Sequence, residues 1–161
     1  ERTIDLSKPL LVAGHGDARV AILMAVGYGV PTLGAEYEEL PFELGAANVA
    51  HLKETGILNG APLTLVQGDF MSDETYRKAG MTFEKFAAIF NYISNHRQLA
   101  EKIARQSPKG TVFLLEDLNH ESGSFPGLVL EQTLQIRPVP SEDARFMDSM
   151  IPVYLRVYRK P

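Results

Sequence analysis

Two rhythms of apolar and polar positions divide this chain. Through the first two thirds, short solid apolar runs alternate with apolar residues at helical spacing. Leu10, Leu11, Val12 and Ala13 form an uninterrupted apolar run that stops at Gly14, the pattern of a parallel strand buried on both faces. Residues 19–26 carry Ala, Ile, Leu and Met at helical spacing, and Gly27 and Gly29 supply the stop. A second strand is predicted over 31–35, ending at Glu36. Pro41 suits the first turn of a helix that runs to about Thr55, with Glu38 and Glu39 at its positive end. Residues 63–66 predict a third strand closed by Gly68 and Asp69, and the polar stretch 71–82 predicts a loop or short helix. A fourth strand over 86–90, a helix over 97–106 and a fifth strand over 111–115 complete this half of the pattern.

The second rhythm is plainer. Residues 123–127 are loop-like, while 128–136 and 153–158 are strand-like with no helical pattern between them. Two late strands joined by a polar loop predict an antiparallel pair at the edge of a parallel sheet. The expected fold class is therefore α/β: a Rossmann-like, open, twisted and mostly parallel seven-stranded sheet, with helices on both faces and a C-terminal antiparallel hairpin. No repeat, low-complexity tract or linker divides residues 1–161, so a single domain is expected.

Composition narrows the function classes. The chain is 45% hydrophobic and 22% charged, which suits one globular core. Its net charge of −4 gives no support to binding nucleic acid or an anionic membrane through a basic face. No apolar run reaches the length of a membrane span, and no signal peptide opens the sequence. An intracellular location, cytoplasm or nucleus, is expected. With no cysteine there is no disulfide, thiolate metal site or cysteine nucleophile. His15, His51, His96 and His120 lack metal-ligand spacing, so no metal is expected. The first residue is Glu1 rather than Met, which suggests a processed chain or a piece of a longer one.

In an open α/β sheet, ligands bind beyond the carboxyl ends of the strands, so the residues just after each strand carry the chemistry. After the first comes Gly14-His15-Gly16-Asp17-Ala18-Arg19. Two glycines allow a tight turn and let a ligand approach the backbone. The dinucleotide fingerprint would need a glycine where Arg19 stands, and the phosphate loop is absent. Glu36 lies about 20 residues beyond the glycines, the place of a carboxylate that accepts from ribose hydroxyls. It also begins a charged cluster with Glu38 and Glu39. Asp69 can accept from an adenine amine and Phe70 can cover the ring, or the pair can make a cap and a core contact. After the fourth strand, Asn91 can orient an amine or amino-acid tail through its carbonyl, and Tyr92 can wall a channel. Asn95 or Ser94 can equally cap the next helix, with Tyr92 as packing. Glu116 to His120 lie where a base could act, although Asp117 and Asn119 suit a turn. Ser122 and Ser124 lack a nucleophile elbow, and Arg156, Arg159 and Lys160 read as solvated surface.

These pieces together resemble a class I S-adenosylmethionine-dependent methyltransferase. The glycine turn, Glu36, Gly68-Asp69-Phe70, Asn91 and the terminal hairpin carry the resemblance over nearly the whole chain. Gln67-Gly68-Asp69-Phe70, Ala88-Ile89-Phe90-Asn91-Tyr92 and Ser107-Pro108-Lys109-Gly110 resemble, more narrowly, the disruptor-of-telomeric-silencing type of non-SET histone lysine methyltransferase. Tyr154 and Tyr158 correspond loosely to that family's late aromatics. The resemblance implies S-adenosylmethionine as cofactor. It places Gly14, His15, Gly16 and Tyr37 along the cofactor, Glu36 at the ribose, and Asp69 and Phe70 at the adenine. Asn91 falls by the methionine portion, and Asn91 and Tyr92 at the incoming nucleophile, a protein lysine amine in the narrower family. Two positions depart from the pattern: Val12 stands where the family has an acid, and Ala18 where it has a third glycine. Few residues precede Leu10, so an N-terminal lid or a partner chain is expected to complete the site. A methyltransferase-like scaffold without catalysis is the alternative these departures suggest. A nicotinamide oxidoreductase is the other, opposed by Arg19.

Overall fold

Strand β1 (Leu10–Ala13) is wholly buried, and its sequence explains why: four apolar residues offer something to both faces of a sheet. The computed structural model describes residues 4–92, 94–118, 123–136 and 153–161. Around β1 stand β2 (Thr32–Glu36), β3 (Leu63–Gln67), β4 (Ala88–Tyr92), β5 (Val112–Leu118), β6 (Val129–Ile136) and β7 (Val153–Arg159). They form one seven-stranded sheet in the order β3-β2-β1-β4-β5-β7-β6. Strands β1 to β5 are parallel, and β7 runs antiparallel between β5 and β6. The order reverses between β1 and β4, the place where open α/β sheets form a ligand crevice.

The period of two along each strand divides the core. Leu11, Ala13, Ile89, Phe113 and Leu115 face one side, where they meet Tyr76 of α3 (Asp73–Lys78) and Leu99 and Ile103 of α4 (His96–Gln106). Leu10, Val12, Ala88, Phe90 and Val112 face the other, with Ala21 of α1 (Arg19–Ile22). Helix α2 (Glu39–Glu54) packs on this second side, where Gly45 approaches the His15 ring that also lies against Gly34. Helices thus cover both faces, as the alternation predicts.

Several boundaries differ from the sequence pattern for physical reasons. Helix α1 passes into a π-helical segment, Leu23–Gly27. The fourth strand starts at Ala88 rather than at Phe86. Phe86 follows a 3-10 turn (Phe83–Lys85) and packs edge-on against Tyr76 and Phe83. Sheet pairing therefore begins two residues later and runs on through Asn91 and Tyr92, which lie in the strand rather than after it. Strand β5 likewise continues to Leu118, so Asp117 is not part of a turn: it is fully buried and pairs with Arg156 of β7 at 2.8 Å. Arg156 is correspondingly not solvated, at 7% exposure. Arg159 reaches Glu131 of β6 at 2.9 Å. Tyr158 belongs to the core, against Phe113 and Phe125. The turn expected at Asn119, the candidates His120 and Ser122, and the polar loop between the last two strands lie outside the described residues.

Candidate functional site

Beyond β1 the chain turns through Gly14 (φ +77°), Gly16 (φ +55°) and Ala18 (φ +68°) before α1 begins. Glycine enters this left-handed region freely, whereas alanine does so with strain. The turn is tied to the end of β2, since the Gly14 and His15 amides both donate to the Ala35 carbonyl, at 2.8 and 3.1 Å. One residue further along β2, the Glu36 carboxylate accepts from the Gly16 amide at 2.9 Å and from the Glu38 amide at 3.0 Å. Each carboxylate oxygen has its own backbone donor, so Glu36 is held at a fixed angle by two charge-assisted bonds.

The segment after β3 is pinned just as firmly. The Asp69 carboxylate accepts from the Met71 amide at 2.8 Å, and the Asp69 carbonyl accepts from the Thr75 hydroxyl at 2.7 Å. Gly68 is required here, because a Cβ would meet Thr75 Oγ1 at 2.5 Å. The buried Tyr76 hydroxyl donates to the Phe70 carbonyl. From α4, the Lys102 ammonium pairs with Asp73, donates to the Met71 carbonyl at 3.2 Å and lies 4.7 Å from the Phe83 ring centre. Asp69 and Phe70 therefore sit on a loop whose backbone is fixed from beneath by α3 and α4.

Between these two turns lies a cleft of 510 Å³ at the carboxyl ends of the strands. It brings together Gly14, Gly16, Glu36, Tyr37, Asp69, Phe70 and Tyr92 from the residues that the sequence singles out. Glu38, Pro41, Ser94 and Asn95 also line it. Their proximity in sequence to Glu36 and Tyr92 was the available signal, but their local patterns suggested helix starts. Asn95 does precede α4, yet it has φ +49° and makes no side-chain cap bond. A separate groove of 550 Å³ opens at the amino ends of the strands, beside Lys8, Lys85 and Lys109. It holds none of the residues that the resemblance places at the cofactor or the incoming nucleophile.

Asn91 and His15 are placed differently. Asn91 is 0% exposed, and its side-chain amide donates to the Ala13 carbonyl at 2.9 Å, joining the ends of β4 and β1. Among the described residues its buried Oδ1 has no hydrogen-bond partner. His15 is 2% exposed and does not line the cleft; its ring lies behind the glycine turn. Tyr92 stands edge-on to Phe90 at 4.9 Å, and its hydroxyl is pushed above the ordinary tyrosine value by burial and then by nearby Glu116. Glu116 is itself pushed up by burial.

The chain matches no known protein family by sequence and no curated protein. Solved structures do share its architecture. An RNA methyltransferase from Salinibacter ruber, solved with S-adenosyl-L-homocysteine, superposes with TM-score 0.65 at 19% identity, over 98% of this chain and 84% of its own. A precorrin-6y methyltransferase from Geobacter metallireducens gives TM-score 0.63 at 15% identity, over 96% and 80%. An rRNA methylase from Streptococcus thermophilus gives 0.61 at 13%, over 98% and 89%. The fold is that of the class I methyltransferases. Some structures of this fold are much longer, and the chain spans 55% of MtNAS, one of whose structures contains S-adenosylmethionine. Within the class I methyltransferase fold, Val12 is wholly buried in the apolar cluster under α1 and brings no carboxylate to the cleft. Ala18 adopts the left-handed geometry for which the expected third glycine is suited. Among the described residues, no cluster of His, Asp and Glu could hold a metal ion, and no helix is long and apolar enough to cross a membrane.

Proposed function

We propose that this chain is an S-adenosylmethionine-dependent methyltransferase whose cofactor lies in the cleft between the glycine turn and the Asp69–Phe70 loop. The observation that carries the reading is Glu36: a carboxylate held by two backbone amides, at the end of β2, on the rim of a cleft floored by glycine. Such a group is preorganised to accept from a pair of vicinal hydroxyls with no reorganisation on binding. Gly14 and Gly16 let a ligand lie against the backbone, and Phe70 and Asp69 offer an apolar wall and an acceptor for a heteroaromatic ring. When bound, the cofactor supplies an electrophilic methyl group on a sulfonium.

The rest is work for the chain's own residues. Methyl transfer is an in-line displacement, so positioning and the exclusion of water carry much of the acceleration. Asn91, fixed to the Ala13 carbonyl by its amide, ties the end of β4 to the end of β1, where the glycine turn begins. Tyr92 walls the β4 end of the cleft. The acceptor implied by the narrower resemblance, a protein lysine amine, draws support from the carboxylates of Glu36, Glu38 and Asp69 along the cleft, which favour a cationic approach. The RNA and precorrin enzymes of the same fold support RNA and small-molecule acceptors instead. Incubation with labelled S-adenosylmethionine and, separately, lysine-bearing peptides, RNA and small amines would separate these acceptors by where label appears.

Isothermal calorimetry with S-adenosylhomocysteine tests the cofactor reading directly. Micromolar binding that Glu36→Ala weakens at least tenfold is expected; no heat at millimolar ligand would overturn the proposal. A second reading, binding without transfer, is favoured by buried Val12 and by left-handed Ala18. Cofactor binding with no labelled product across all three acceptor classes would support it over catalysis.

A further inference from the structure

We infer that His15 is a positioning residue: a buried imidazole strut that sets the glycine turn and, through it, the Glu36 carboxylate. The inference rests on the proposed reading of the cleft for its function, but its geometry stands apart from any ligand. His15 Nδ1 lies 2.8 Å from the Gly16 carbonyl oxygen. A carbonyl can only accept, so Nδ1 carries a proton. Among the described residues Nε2 is buried with no hydrogen-bond partner, and the bond made by Nδ1 goes to the glycine turn. The same residue then continues the relay through its two flanking peptide units: the Gly16 carbonyl is held by His15 while the Gly16 amide donates to Glu36.

Room for the ring is made by two other glycines. A Cβ on Gly34 in β2 would meet Leu65 Cδ2 at 2.8 Å and His15 Cδ2 at 2.9 Å, and one on Gly45 in α2 would meet His15 Cε1 at 2.8 Å. Glycine in the interior of a strand or helix is disfavoured relative to alanine. Two elements thus carry glycine where their local propensities disfavour it, and both face one imidazole. Phe42 of α2 closes the site with its ring centre 5.9 Å from that of His15. Burial holds the ring's pKa below its ordinary value, while Glu36 and Asp17 oppose that shift. A neutral Nδ1–H ring is therefore the working form.

The test uses the full chain and two variants. His15→Asn retains a side-chain donor near the Nδ1 position, whereas His15→Leu retains bulk without a donor. In ¹⁵N spectra, wild-type His15 is expected as the neutral Nδ1–H tautomer. The Gly16 amide is expected to resist hydrogen exchange, to lose at least tenfold of that protection in His15→Leu, and to keep most of it in His15→Asn. S-adenosylhomocysteine affinity should follow the same order. A wild-type Nε2–H tautomer, or unchanged Gly16 exchange in His15→Leu, would overturn the inference whether or not any ligand binds. The expected tautomer and exchange pattern in a wild-type chain that binds no S-adenosylhomocysteine would sustain the strut and sink the cofactor reading instead. Should His15→Leu fail to fold, the wild-type tautomer still decides the matter.

Discussion

Glu36 and His15 show how single side chains set the cleft. Replacing Glu36 by Ala removes the acceptor for two backbone amides in a largely buried position. Hydrogen bonds to charged groups are worth about 1.5–3 kcal/mol each, and solvent can enter to offset part of the loss. Glu36→Ala is expected to lower unfolding free energy by about 2 kcal/mol in urea titration, in addition to its effect on ligand affinity. For His15 the pH dependence has a definite sign. Burial lowers its folded pKa below the ordinary 6.5, so the unfolded chain takes up the proton first. The stabilisation is complete above about 6.5 and declines as pH falls from there toward the folded value. A urea midpoint that drops between pH 7.5 and 5.5, with a smaller drop in His15→Asn, is the expected result. At this scale the sequence made the carboxylate legible but not the histidine. Glu36 follows a recognisable strand end, whereas the seat of His15 depends on glycines nineteen and thirty residues away.

Among the elements, α2 shows local propensity yielding to packing. Gly45 sits within a sixteen-residue helix, where alanine would be favoured by about 1 kcal/mol on propensity alone. Its Cβ would meet the His15 ring at 2.8 Å and the Gly16 carbonyl at 3.1 Å. Overpacking of this kind costs about 1–3 kcal/mol. Gly45→Ala is therefore expected to lower the melting temperature, against its propensity. Combining it with His15→Ala should recover part of the loss, a non-additivity visible in a double-mutant cycle. Strand β4 teaches the complementary lesson. Its apolar run starts at Phe86, but aromatic packing with Tyr76 and Phe83 removes that residue from the sheet and carries pairing on to Tyr92. Asn91 is then an internal, buried strand residue rather than a loop residue facing the cleft.

For the molecule as a whole, the antiparallel hairpin is fastened to the parallel sheet partly by charge. Asp117 of β5 and Arg156 of β7 are buried together across that junction. Removing one member of a buried ion pair costs about 3–5 kcal/mol, while replacing both with apolar residues can be nearly neutral. Arg156→Leu is expected to lower the denaturant midpoint sharply, and Asp117→Leu with Arg156→Leu to restore most of it. The sequence by itself determined the order of elements, the hairpin at the end, the glycine turn and the acid that follows β2. These are local signals, written as apolar period, turn residues and strand ends. Only the tertiary structure decided that Arg156 and Asp117 are inside, that Asn91 is locked to Ala13, and that His15 stands behind the turn instead of in the cleft. Each of those outcomes depends on which residue lies across a neighbouring strand or helix. That juxtaposition is set by register and packing between distant segments, and no local pattern along the chain encodes it.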